Sequence, residues 1–129
     1  MPLPIWVVTE VIDFSDLSRI YEGMVEKDRA AVATGLGVTD EEEKPLTKSL
    51  RSWLRALTFV RNTCAHHSRL WNVNMVEQVA PSQPFPPPLQ HLAKMSSGKH
   101  ARIYPTLAII SFLTCLLYTS DAADDLLCV

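Results

Sequence analysis

Apolar residues along this chain recur at threes and fours, the spacing of one face of an α-helix. Ile5, Trp6, Val7, Val8, Val11 and Ile12 cover a broad helical face, and Pro4 suits a first turn, so a first helix is expected here. Asp13 or Ser15 can cap a second helix carrying Phe14, Leu17, Ile20, Tyr21 and Met24, which Gly23 weakens at its end. Glu26 to Ala33 is alanine-rich and stops at Gly35 and Gly37, which predicts one or two turns. Thr39-Asp40-Glu41-Glu42 has capping-box spacing, and the acidic run to Glu43 suits the positive end of a helix dipole. Pro45 is tolerated only in a first turn, so the long helix is expected to begin there. Its apolar stripe is Leu50, Trp53, Leu54, Leu57, Val60 and Cys64, the strongest periodic signal in the chain. That helix delivers Arg61-Asn62-Thr63-Cys64-Ala65-His66-His67 at its C-terminal end.

Pro81, Pro84, Pro86, Pro87 and Pro88 forbid regular helix between Asn72 and Gln90 and predict an ordered, extended loop or linker. A last helix should start around Pro105 and carry Leu107, Ile110 and Leu113 into the core. No strand pattern competes, so the expected fold is all-α, a helical bundle. The apolar stretch Leu107 to Leu117 is far shorter than the roughly 20 residues of a membrane span and reads as a buried helix, so no membrane partner is expected. The N-terminus lacks the basic region and cleavage site of a signal peptide.

With 129 residues, 47% of them hydrophobic, the chain has the size and apolar content of one domain with one core. Cys64, Cys115 and Cys128 are odd in number and unpaired in spacing, which predicts a reduced, cytoplasmic setting. A formal charge of −2 does not advertise a nucleic-acid binder, so any such signal must be local. It is local: no acidic residue lies between Lys44 and Val76, where Lys44, Lys48, Arg51, Arg55, Arg61 and Arg69 fall. On the helix, Lys44, Lys48, Arg51 and Arg55 share one exposed stripe able to follow a phosphate backbone, and Lys48, Arg51, Arg55 and Arg69 are the candidate RNA contacts. The competing reading is a solvated helix face with its cations toward the negative end of the dipole.

Arg61-Asn62-Thr63-Cys64-Ala65-His66 has the form R-N-x-x-x-H, which resembles the R-x(4-6)-H signature of HEPN ribonucleases. The longer string from Arg61 through His66, His67, Ser68, Arg69, Leu70 and Trp71 to Asn72 resembles the signature of the Abi-like (abortive infection, AbiD/AbiF-type) family within that superfamily. Pro4-Ile5-Trp6, Glu10-Val11, Phe14 to Tyr21 and Ile103-Tyr104-Pro105 are similar to that family too. The resemblance spans residues 3–113 and implies the C-terminal helical region of a longer protein, hence an incomplete HEPN-like bundle. Residues 114–129 resemble translated sequencing-adaptor read-through, the alternative being an ordinary frayed end; without Asp121, Asp124 and Asp125 the charges are 12 basic against 11 acidic.

What the resemblance implies is an endoribonuclease that needs no metal or other cofactor, acting as a toxin in phage abortive infection or a toxin–antitoxin pair. Its partners would be an RNA substrate, a second copy of the chain and an antitoxin. The residues suit that chemistry. Cleavage of RNA by its own 2′-hydroxyl needs proton transfers and stabilisation of a negative phosphorane. His66 can move protons near neutral pH, with His67 the alternative; Arg61 can grip the phosphate with its fork of donors, and Asn62 can orient either group. Residues five apart on a straight helix differ by about 140° in azimuth, so Arg61 and His66 need a bend, an unwound end or a second copy to meet. Competing readings are a helix end that uses His66, His67 and Arg69 to satisfy its carbonyls, and a catalytically silent α-helical module that holds RNA or protein. Zinc on Cys64, His66 and His67 lacks a fourth ligand. Cys64 and Trp53 read as core; Trp71 is expected at core or interface, or stacked on a base; His91 and His100 carry no case.

Overall fold

Two capping positions decide the entry of the chain into its first elements, and the computed structural model describes that chain over residues 4–80 and 83–119. Pro4 stands at the N-cap of α1, Ile5–Val11, and Asp13 caps α2, Phe14–Gly23, its carboxylate accepting from the Asp16 amide at 2.9 Å. α3 runs Glu26–Gly35, longer than the one or two turns expected, because Thr34 and Gly35 still continue the helix and the break comes only at Leu36 and Gly37. Gly37 sits at φ 64° beneath Leu116 of the last helix, where a Cβ would lie 3.1 Å from that side chain.

The helix start expected at Thr39 to Pro45 is instead a tight loop. Thr39 and Pro45 form an isolated antiparallel bridge, and one Asp40 carboxylate oxygen accepts from the Glu42 and Lys44 amides at 2.9 Å each. Glu43 takes the left-handed conformation at φ 59°. Asp40 thus caps its own loop rather than a helix, a competition typical of Asp side chains. α4 therefore begins two residues after Pro45 and spans Thr47–Ala65. Lys44 consequently lies outside the helix and does not belong to its basic stripe.

α4 is the axis of the core. Leu50, Trp53, Ala56 and Val60 are buried along one face, with Leu54 and Leu57 half-buried beside it. Trp53 stacks on Phe85 with ring centroids 6.4 Å apart and meets Phe112 edge-on at 6.2 Å. Tyr21 joins α2, α3 and α4: its hydroxyl donates to the Arg29 and Thr47 carbonyls at 3.4 and 3.3 Å.

The described part of the proline-rich segment, residues 72–80 and 83–90, is core rather than linker, and Pro81 lies outside the described residues. Met75, Val79, Phe85, Pro86, Leu89 and Leu92 are buried. Ser49 and Ser52, one turn apart on α4, clasp it: the Ser49 hydroxyl donates to the Pro84 carbonyl at 2.7 Å, and Ser52 Oγ accepts from the Ala80 amide at 3.1 Å. A 3₁₀ turn at Pro87–Leu89 leads into two short helices, α5 (Gln90–Ala93) and α6 (Ser97–His100), which the proline pattern hides.

α7, Tyr104–Thr119, has Pro105 in its first turn. Its buried face is Pro105, Thr106 and Ile109, flanked by Phe112 and Leu113, whereas Leu107 and Ile110 are exposed at 51% and 37%. The expectation that Leu107 and Ile110 enter the core fails because this helix is apolar nearly all round, so periodicity does not select a face. Among the described residues there is no strand, and the structure is all-α with helices packed around α4. No helix among them is long and apolar enough to cross a membrane.

Candidate active site at the end of the long helix

Arg61 to Ala65 form the last turn and a half of α4, and His66 is its C-cap. The helix stops through two backbone bonds: the His67 amide donates to the Cys64 carbonyl and the Ser68 amide to the Thr63 carbonyl, each at 3.0 Å. This is a Schellman ending, whose turn residue must be left-handed and is most often glycine. Here that residue is His67, at φ 54°. The last carbonyls are thus satisfied by backbone amides, not by the His66, His67 or Arg69 side chains.

Arg61, His66, His67 and Arg69 are all exposed and Asn62 is half-buried. Arg61 Nη1 donates to Asn62 Oδ1 at 3.0 Å, so the first two motif residues are already joined. They nevertheless face different surfaces, as neighbours about 100° apart on a helix must. Asn62 opens onto a polar cleft of about 560 Å³ between α2 and α4, with Ser18, Arg19, Glu22, Arg55 and Glu77. Arg61 stands on the rim of an apolar groove of about 380 Å³ formed by Phe14, Leu57, Val60, Ile110 and Leu113. Asp13 lies close enough to feel Arg61: its carboxyl is held below the ordinary range first by the Asp16 amide, then by the Ser15 hydroxyl, with the Arg61 cation adding to both.

Cys64 is exposed and free, so the apolar stripe read from the sequence is buried only as far as Val60. The final turn projects beyond the packed body, where residues 65–69 are all exposed. Trp53 is core as expected, whereas Trp71 is 80% exposed and not core. Among the described residues, no group of three or more His, Cys, Asp or Glu is placed to hold a metal ion.

The basic stripe divides. Arg51 and Arg55 both pair with Glu22 of α2, Arg51 at 3.3 Å, and those contacts hold the Glu22 carboxyl below its ordinary value, Arg55 contributing most. Lys48 and Arg69 enter no salt bridge among the described residues. Lys48, Arg51 and Arg55 line a cleft of about 420 Å³ with Ser52, Gln78 and Gln83. Sequence reasoning misses Glu22 because it lies on another helix, outside the acid-free stretch. It misses Arg102 for the same reason: the Arg102 Nη1 donates to both the carbonyl and the side-chain oxygen of Asn72, at 2.8 and 2.7 Å, and fixes the end of the motif string.

Among the described residues the structure is all-α, and its longest helix ends in the string Arg61-Asn62-Thr63-Cys64-Ala65-His66. The profile of the family described as Abi-like protein matches residues 1–72, from the chain start to Asn72. The chain belongs to the Abi-like protein family. Neither the curated proteins nor the solved structures include a match to it.

Proposed function

We propose that this chain carries the active site of a HEPN-type endoribonuclease that needs no metal, and that it acts as a toxin on cellular RNA during abortive infection or opposite an antitoxin. Membership of the Abi-like family supports the abortive-infection role. The observation that carries the reaction is the exposed end of α4, where Arg61, already joined to Asn62 and within electrostatic reach of Asp13, and His66 stand in a stretch of sequence with no acidic residue. In the proposed step the substrate 2′-oxygen attacks phosphorus as its proton leaves to an imidazole. The phosphorus–O5′ bond breaks, the O5′ takes its proton from the imidazolium so formed, which returns to neutral imidazole, and the products are a 2′,3′-cyclic phosphate and a 5′-hydroxyl. Arg61 stabilises the phosphorane oxygens through its guanidinium donors, and Asn62 fixes the direction of that fork.

α4 stays helical through Ala65, which leaves Arg61 and His66 on different faces of one protomer. A two-fold pairing of chains, each bringing its own motif, is the economical way to join them, and the partner we assign is a second copy. The silent RNA-binding alternative loses part of its support, because Glu22 already occupies Arg51 and Arg55. Incubating the purified chain with RNA in excess EDTA tests the proposal. Cleavage should persist, leave cyclic phosphate ends and spare a DNA of the same sequence. Dependence on added magnesium, or cleavage of the DNA, contradicts it.

A further inference from the structure

The segment after the helix presents an aromatic ring to solvent and is tied down at both ends. It opens at left-handed His67 with the Schellman bonds and closes at left-handed Asn72, φ 59°, on the Arg102 guanidinium. Met75, two residues beyond Val73, is buried and its amide donates to the Ala101 carbonyl at 2.8 Å, so the chain beyond Asn72 is anchored beside Arg102 as well. Between these anchors Trp71 is 80% exposed. An indole that large gains nothing for the fold by standing in water, and with the backbone anchored on both sides its flat apolar face is held at a defined place on the surface.

Its surroundings select the partner. Arg69 is exposed in the same segment and enters no salt bridge among the described residues, and the Arg102 guanidinium stands at Asn72, so the patch attracts anions. A flat ring with Arg69 two residues before it and Arg102 at Asn72 is the pattern that receives an unpaired base and its phosphates.

We propose that Trp71 is a stacking platform for one base of a single-stranded RNA, and that Arg102, through Asn72, is the positioning residue that holds the platform beside the Arg61–His66 motif. The inference rests on the reading that this chain acts on RNA, and it adds the strand form and the residue that meets a base. Arg102 lies outside residues 1–72, so the matched family region and the rest of the chain meet at this contact.

The test uses a 2′-O-methyl RNA oligonucleotide, which binds without being cleaved, and the intrinsic tryptophan fluorescence of the full chain. Oligonucleotide should quench the wild-type protein, and Trp71→Phe should remove most of that quench while keeping most of the affinity. Trp71→Ala should weaken binding roughly ten-fold with helicity unchanged. Arg102→Ala should lower the quench at saturation and Arg102→Lys restore part of it, which a merely stabilising contact would not do. Unchanged affinity in Trp71→Ala overturns the proposal. So does a shift of Trp71→Ala from dimer to monomer with RNA affinity retained, which would make the ring a protein contact. Trp71-dependent quenching by a wild-type protein that cleaves no RNA would sustain the platform and refute the nuclease, whereas cleavage with Trp71-independent binding would do the reverse.

Discussion

His67 concentrates the physical conflict at this site. A left-handed backbone costs a residue with a Cβ about 1 kcal/mol or more relative to glycine, and histidine stands at the position where helices prefer glycine. His67→Gly should therefore stabilise the chain by about 1 kcal/mol in urea denaturation while leaving the helix end in place. The same variant separates the two candidate histidines. With His66 as the proton-transfer group, His67→Gly keeps RNA cleavage and gains stability; loss of cleavage in a stabilised His67→Gly protein moves the role to His67. The sequence shows both histidines but not which one turns the chain, because Schellman endings are recognised by glycine and none is present here.

Between elements, two contacts carry measurable predictions. Glu22 bridges α2 to Arg51 and Arg55 of α4, and its carboxyl is held below the ordinary value of 4.5 by those cations, Arg55 first. A lowered pKa stabilises the fold above the ordinary value and loses that contribution as pH falls through the lowered one. Glu22→Gln should thus cost up to about 1 kcal/mol at pH 7, a partly exposed pair being screened by water, and the gap to wild type should narrow as pH falls below the ordinary value of 4.5. Thermal melts across that range check this, and a gap that widens in acid contradicts it. The proline segment gives a sharper test: Phe85, buried against Trp53, should cost about 3–4 kcal/mol when cut to alanine, and a wild-type urea midpoint for Phe85→Ala would mean the segment is a detached linker.

At this scale the sequence is informative where one face of a helix is polar and silent where none is. α4 alternates clearly, and its buried face is legible at Leu50, Trp53 and Val60, whereas on α2 Tyr21 is buried but Leu17 and Ile20 of the face read from the sequence are exposed at 46% and 45%. α7 has no polar face, so the spacing points Leu107 and Ile110 inward while they lie outward. The capping pattern at Thr39 is genuine hydrogen-bonding capacity spent on a loop, since Asp40 reaches the Glu42 and Lys44 amides as easily as a helix start. Arg61, Asn62, His66 and His67 are singled out in the sequence by the string's resemblance to the HEPN signature, and their residue types suit the expected chemistry. Glu22, which pairs with Arg51 and Arg55, and Arg102, which holds Asn72, come from other elements and need the fold.

For the molecule as a whole, the question is how Arg61 and His66 act together. Both are exposed on a helix end that projects from the body, and the apolar groove of Phe14, Leu57, Val60, Ile110 and Leu113 lies against Arg61. Pairing two chains about a two-fold axis would set the arginine of one copy against the histidine of the other. The decisive measurement is RNA cleavage by Arg61→Ala and His66→Ala proteins, each alone and then mixed after joint refolding. Each alone should be inactive with helicity intact. The mixture should regain roughly a quarter of wild-type activity, because half the dimers are mixed and one of their two composite sites is whole. Single variants that cleave RNA at the wild-type rate would contradict the account.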